Sequence, residues 1–209
     1  MRLAAKEKKE RALGTKLFLK AFRSYSPKSA MVRRPTRPGM HGDKRSRGAS
    51  EYKLQLMEKQ KIKLTYGLSE RQMKNIVGAA ITKRVTGGMS AADRIIAALE
   101  SRLDNVVYRL GISPSRIMAR QAVSHGYITV NARKVTIPSY KVKKEDIIAI
   151  KESYKHILLF KDLGNTLKAH ATLPWLTLDV ATLQGTVAAQ PHGVDMPFNI
   201  NLVIDYYSR

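Results

Sequence analysis

Between Ser90 and Ile150 the hydrophobic period of the chain changes once, at Gly126, and that change restricts the fold more than any other feature. Upstream, Ile95, Ile96, Leu99, Leu103, Val106, Val107 and Leu110 recur every three or four residues, the apolar stripe of a helix. Gly111 stands where a left-handed cap residue ends such a helix. Ser113 and Pro114 supply the N-cap and first position of a second helix, which runs to about His125. Downstream the period is two. Tyr127-Ile128-Thr129-Val130 reads as a strand, Asn131 to Lys134 as a turn, Val135-Thr136-Ile137 as a returning strand and Ile147 to Ile150 as a short buried strand. The resulting order, helix-helix-β, makes a unit of about 60 residues that folds if it packs on something else.

The rest of the 209-residue chain is organised by charge, with 38 Lys and Arg against 16 Asp and Glu, a net +22. Residues 1–50 carry net +12, residues 51–100 +4, residues 101–150 +6, and residues 151–209 none. Self-repulsion of this size destabilises a compact state, and phosphate contacts offset it by releasing condensed counterions. A basic face kept for solubility is the bland alternative. An anionic membrane fits poorly, because the basic residues do not lie opposite a Trp/Phe/Leu face. Without cysteine there are no disulfides, thiolate metal sites or cysteine nucleophiles. No apolar run reaches the roughly 18 residues of a membrane span, and the charged N-terminus lacks a signal-peptide core.

These patterns predict an α+β protein in three parts. Residues 1–50 form a basic N-terminal extension, with prolines and glycines dense between Ser24 and Ser50 and an apolar anchor in Leu17, Phe18 and Leu19. When free, it is either a disordered tail or an arm that orders on phosphates. Residues 51–89 plus 151–209 form a mainly helical domain with C-terminal strands, including Trp175 to Val180. Residues 90–150 form the inserted helix-helix-β module. Ser69 with Gln72, and Ser90 with Asp93, have capping-box spacing, and Gly87-Gly88 ends the helix between them.

Arg116 and Arg120 share one helix face, and Arg102 and Arg109, seven apart, share another. Planar guanidinium groups in two rows suit phosphate oxygens. Gln121, Ser124 and His125 are also not needed for packing, and Lys134, Lys141, Lys143 and Lys144 extend the surface from the strand side. Asp104 is read as orienting Arg102 or a neighbour. The five histidines show no metal-type spacing, and the chain has no GxSxG, GxxxxGK[ST], HExxH or GxGxxG motif, so an enzyme is not expected.

The run Arg102-Leu103-Asp104-Asn105-Val106-Val107-Tyr108-Arg109-Leu110-Gly111, with Ala119-Arg120-Gln121, Val123-Ser124-His125-Gly126 and Ile137-Pro138-Ser139-Tyr140, resembles bacterial small-subunit ribosomal protein four. The likeness extends through Pro38-Gly39-Met40-His41-Gly42, Glu58-Lys59-Gln60-Lys61 and the ending Asp205-Tyr206-Tyr207-Ser208-Arg209. It implies a cytoplasmic, non-enzymatic constituent of the small ribosomal subunit. Such a protein binds small-subunit rRNA early at a multi-helix junction and nucleates assembly of the subunit body. It lies near small-subunit proteins five and twelve, and contributes to translational accuracy and to the mRNA entry region. The implied RNA contacts are Arg33, Arg34, Arg37, Arg45 and Arg47 of the arm, Lys59 and Lys61, then Arg102, Arg109, Arg116, Arg120, Gln121, Ser124, His125, Lys134, Lys141 and Lys144.

Two departures matter. Many relatives bind zinc through four N-terminal cysteines, whose positions align here with Glu7, Glu10, Ser24 and Ser29. Two carboxylates and two hydroxyls do not replace thiolates, so no zinc and no other cofactor is expected. Ala132 follows Asn131 where relatives usually have glycine, and a positive φ there would strain alanine. Two other readings fit less well. An RNA-modifying enzyme such as a pseudouridine synthase needs a larger catalytic domain than the 59 residues after Ile150. A helix-turn-helix DNA reader does not explain the arm or the strands that follow the second helix.

Overall fold

In the computed structural model, the described residues are 6–44, 48–82, 89–157, 159–161, 163–168, 170–194 and 196–208. They form two compact units. The first comprises residues 1–95 and 195–209, and the second residues 96–194.

In the first unit, short helices α1 (Lys6–Leu13), α2 (Ala21–Tyr25) and α3 (Ala30–Arg33) precede the longer α4 (Glu51–Thr65) and α5 (Glu70–Thr82). The arm has a small core of its own, because Leu17 and Leu19 are buried. Phe18 between them turns outward at φ +53° and stacks on Tyr25. The capping box at α5 is reciprocal: Ser69 Oγ accepts from Gln72 N–H at 3.2 Å, and Gln72 Oε1 accepts from Ser69 N–H at 3.1 Å. Ser90 Oγ accepts from Asp93 N–H at the start of α6 (Ala91–Glu100). The expected stop at Gly87-Gly88 lies outside the described residues. Arg94 donates through Nε and Nη2 to Ala80 O near the end of α5.

The second unit departs from one continuous helix. The stripe is buried as expected at Leu99, Leu103, Val106, Val107 and Leu110, but the helix breaks at Ser101-Arg102 and restarts as α7 (Leu103–Arg109). The first amides of α7 are capped from a distance: Leu103 N–H donates to Tyr140 O at 2.8 Å and Asp104 N–H to Pro138 O at 3.1 Å. Gly111 takes the expected left-handed conformation, φ +77°. Helix α8 (Arg116–Ser124) starts later than expected. Ser115, not Ser113, is its N-cap, accepting from Met118 N–H, while Ser113 is buried in the approach.

Strands β1 (Ile128–Val130) and β2 (Arg133–Lys134) are joined by a two-residue turn in which Asn131 and Ala132 both have positive φ, +50° and +61°. The returning strand is thus shorter and earlier than the expected Val135 to Ile137. After Lys134 the chain leaves the sheet to bring Pro138 and Tyr140 to α7. With β3 (Ile147–Ile150), β4 (Leu176–Asp179) and β5 (Gln184–Val187), these strands make an antiparallel sheet of order β2-β1-β3-β5-β4. Short α9 (Leu163–Lys168) lies between β3 and β4. One core joins α7, α8 and the sheet. Gly185 in β5 is required there, since a Cβ would run into the Leu110 side chain.

The α+β class stands, but the division differs from that expected. Residues 151–194 continue the sheet of the module instead of joining residues 51–89. The end of the chain is a helix, α10 (Ile200–Ser208), packed on α4 and α5.

Candidate nucleic-acid interface

The polar network of α7 and α8 begins at two buried acids. Asp104 accepts from Arg102 Nε and Nη2 at 3.1 and 2.8 Å and from Arg120 Nη1 at 3.2 Å. Glu100, fully buried, accepts from Arg109 Nε and Nη2 at 2.9 and 3.0 Å and from Asn105 Nδ2 at 2.9 Å. Asn105 Oδ1 in turn accepts from Arg116 Nε at 2.8 Å, and the Arg116 guanidinium lies 4.4 Å from the Tyr108 ring centroid. Asp104 therefore does orient arginines, as its place in the sequence suggested. Half-buried Arg109, Arg116 and Arg120 are held in fixed directions by these partners, which lowers the entropy lost when each meets an anion.

Arg102 is different. It is 4% exposed and bidentate on Asp104, so its charge is neutralised inside the unit and the structure removes it from the expected contact surface. Lys59, also 4% exposed, is removed for the same reason. Its ammonium donates to Glu70 Oε1 at 2.8 Å and to the Tyr206 hydroxyl at 3.1 Å, and lies 4.2 Å from the Tyr206 ring centroid. Burial opposes the Lys59 charge, but these hydrogen bonds outweigh it and hold the ammonium above its ordinary pKa. Burial likewise opposes the Glu70 carboxylate, and donors from Lys59, Lys63 and Tyr207 overcome it, pulling its pKa down to about 2. Half-buried Lys61 pairs with Glu58 at 2.6 Å.

Of the other expected contacts, Arg33, Arg34, Arg37, Gln121, Ser124, His125, Lys134, Lys141 and Lys144 are exposed. His125 Nδ1 lies 3.1 Å from the Tyr127 hydroxyl. Arg45 and Arg47 lie outside the described residues. Sequence reasoning missed three arm cations, Arg11, Arg23 and Lys28, which join Arg33, Arg34 and Ala30 around a cavity of about 170 Å³. Only their membership of the basic arm could have signalled them.

The positions aligned with the family's zinc cysteines are committed to other work. Glu10 is buried, and its Oε1 accepts from the Leu17 and Leu19 amides at 3.1 and 3.2 Å. Glu7 pairs with Arg23 at 2.9 Å and with Lys20 at 3.7 Å. Ser24 and Ser29 are buried hydroxyls. One carboxylate bonded to backbone amides, one paired with cations and two alcohols do not fit tetrahedral zinc. Among the described residues no group of His, Asp or Glu could hold a metal ion, and no helix is long and apolar enough to cross a membrane.

Residues 2–92 match the family model described as Ribosomal protein S4/S9 N-terminal domain, and residues 101–148 that of the S4 domain. The chain is similar to the small ribosomal subunit protein uS4 of Thermus thermophilus, 48% identical over 199 residues, covering 94% of this chain and 93% of the relative. It is also similar to uS4A of Symbiobacterium thermophilum, 44% identical over 200 residues, with the same two coverages. For uS4 of Lawsonia intracellularis the identity is 42% over 199 residues, again at 94% and 93%. The fold and its arginine-bearing helix pair are thus those of an S4-type RNA-binding protein. The chain belongs to the uS4 family of small-subunit ribosomal proteins, which are structural components and not enzymes.

Proposed function

We propose that this chain is a structural constituent of cytoplasmic small ribosomal subunits that binds small-subunit rRNA directly and nucleates folding of the subunit body. The observation that carries this reading is the set of pre-oriented arginines on α7 and α8, with Gln121, Ser124 and His125 exposed on α8 and its C-cap. A-form RNA hides its major-groove base edges in a deep, narrow groove, so a rigid cationic surface recognises a junction mainly by shape and backbone. The contact set is Arg33, Arg34, Arg37, Lys61, Arg109, Arg116, Arg120, Gln121, Ser124, His125, Lys134, Lys141 and Lys144. Its neighbours are small-subunit proteins five and twelve, and its place near incoming mRNA lets it influence accuracy and mRNA entry.

The test is titration of the full chain with a small-subunit rRNA junction fragment and with heparin across a salt series. Specific binding to the fragment is expected. Changing Arg116 and Arg120 together to Ala lowers the salt slope by roughly 1–2, just under one unit per lost phosphate contact. A wild-type chain with no preference for the rRNA fragment over heparin overturns the reading.

A further inference from the structure

Helix α2 carries an uncovered aromatic surface beside a cationic cavity. Phe22 is 80% exposed and Tyr25 71%, and Phe18 stacks on Tyr25 with centroids 5.1 Å apart. Buried Leu17 and Leu19 already provide the arm's apolar core, and Phe22, 80% exposed, lies outside it. Arg23, the next residue after Phe22, lines the cavity together with Arg11, Lys28, Arg33 and Arg34; among the described residues no acid lines it, and Glu7 holds Arg23 through its Nε at 2.9 Å. At about 30 Å³ per water, about 170 Å³ holds five or six waters, room for a phosphodiester group. Phe22 and Arg23 are consecutive in α2, so the exposed ring adjoins a residue that lines the cavity.

We propose that α2 and α3 form a site for an unpaired stretch of RNA, with a backbone phosphate in the cavity of Arg11, Arg23, Lys28, Arg33 and Arg34 and the adjoining base stacked on Phe22. An electrostatic groove beside aromatic platforms is how proteins hold single strands without reading sequence. A duplex keeps its bases stacked on each other and offers none to Phe22. A protein neighbour could use the rings, but it gives no reason for five cations around one cavity. The proposal rests on the rRNA-binding reading and adds the form of RNA that the arm takes.

The test uses the full chain and two fluorescently labelled RNAs of equal length, one single-stranded and one a closed hairpin duplex. Phe22→Ala is expected to weaken single-strand binding roughly 5- to 150-fold, the range for losing one stacked base, and to leave duplex binding unchanged. Lys28→Ala/Arg33→Ala/Arg34→Ala is expected to lower the single-strand salt slope by about 0.7, the value for the one phosphate contact the cavity makes. Circular dichroism matching wild type confirms that exposed Phe22 is dispensable for folding. If Phe22→Ala binds both RNAs as wild type does while the wild type still selects the junction fragment, the proposal fails and the rRNA reading survives. If that variant keeps RNA affinity yet is lost from small subunits, the surface belongs to a protein neighbour and the proposal also fails.

Discussion

Asn105 ties α7 to α8 by accepting the Arg116 Nε hydrogen at 2.8 Å, while its own amide donates to the Glu100 side chain and backbone carbonyl at 2.9 and 3.1 Å. One buried carboxamide thus orients a cation at the surface and solvates an anion in the core. Asn105→Ala removes two donors from buried Glu100 and the acceptor that directs Arg116. We expect a loss of about 1–3 kcal/mol in urea unfolding, together with weaker rRNA-fragment binding. Binding that stays at the wild-type level in the folded variant would show that Arg116 needs no such support.

Ala132 has φ +61° in the β1–β2 turn. A left-handed conformation costs an L-residue about 1–2 kcal/mol, and glycine escapes that penalty at the expense of greater freedom in the unfolded chain. Ala132→Gly is therefore expected to stabilise the protein by about 0.5–1 kcal/mol. Thermal or denaturant unfolding measures it, and a destabilised variant would refute the strain.

The Glu70 carboxylate has its pKa pulled down to about 2, with Lys59, Lys63 and Tyr207 as donors. Its folded-state pKa lies below the ordinary 4.5, so its contribution is complete above that value and disappears as the pH falls from there towards 2. Glu70 is about half exposed, and each pair contributes only about 0.2–1 kcal/mol. Protection factors of the α10 amides, taken relative to the intrinsic exchange rate at each pH, should fall across this acid range in the wild type. In Glu70→Gln they should already be lower at neutral pH and change little on acidification.

Glu10 holds the arm's core by accepting from two amides with one carboxylate oxygen. Elemental analysis of the purified protein is expected to find no stoichiometric zinc, and chelators should leave its unfolding curve unmoved. Glu10→Ala strands the Leu17 and Leu19 amides and should cost about 1–3 kcal/mol. Stoichiometric zinc would contradict the assignment.

Local signals carried much of this fold. The capping box at Ser69, the Ser90 cap, the buried stripe and the Gly111 cap follow from residues three or four apart. The break at Ser101-Arg102 was hidden because Leu99 and Leu103 keep the same helical phase across it, and the carbonyls that cap α7 come from Pro138 and Tyr140. That single miss misplaced Arg102. Asp104 was legible as an orienting group, but on a continuous helix residues two apart do not face each other, so the burial of the Arg102–Asp104 pair was not visible in the spacing. Lys59 was misplaced for a long-range reason, since its burial depends on Tyr206 in a terminal helix that the patterning of the last quarter did not reveal.

Because α10 closes on α4 and α5, the first part of the chain to be synthesised is the last that can be completed. Lys59 leaves the peptidyl transferase centre 147 residues ahead of Tyr206, a delay of roughly 7–30 s at 5–20 residues per second. Meanwhile the intervening sheet and helices have all their own partners in hand. A nascent chain truncated before Ile200 should therefore present a finished C-terminal unit tethered to an amino-terminal half still awaiting its keystone.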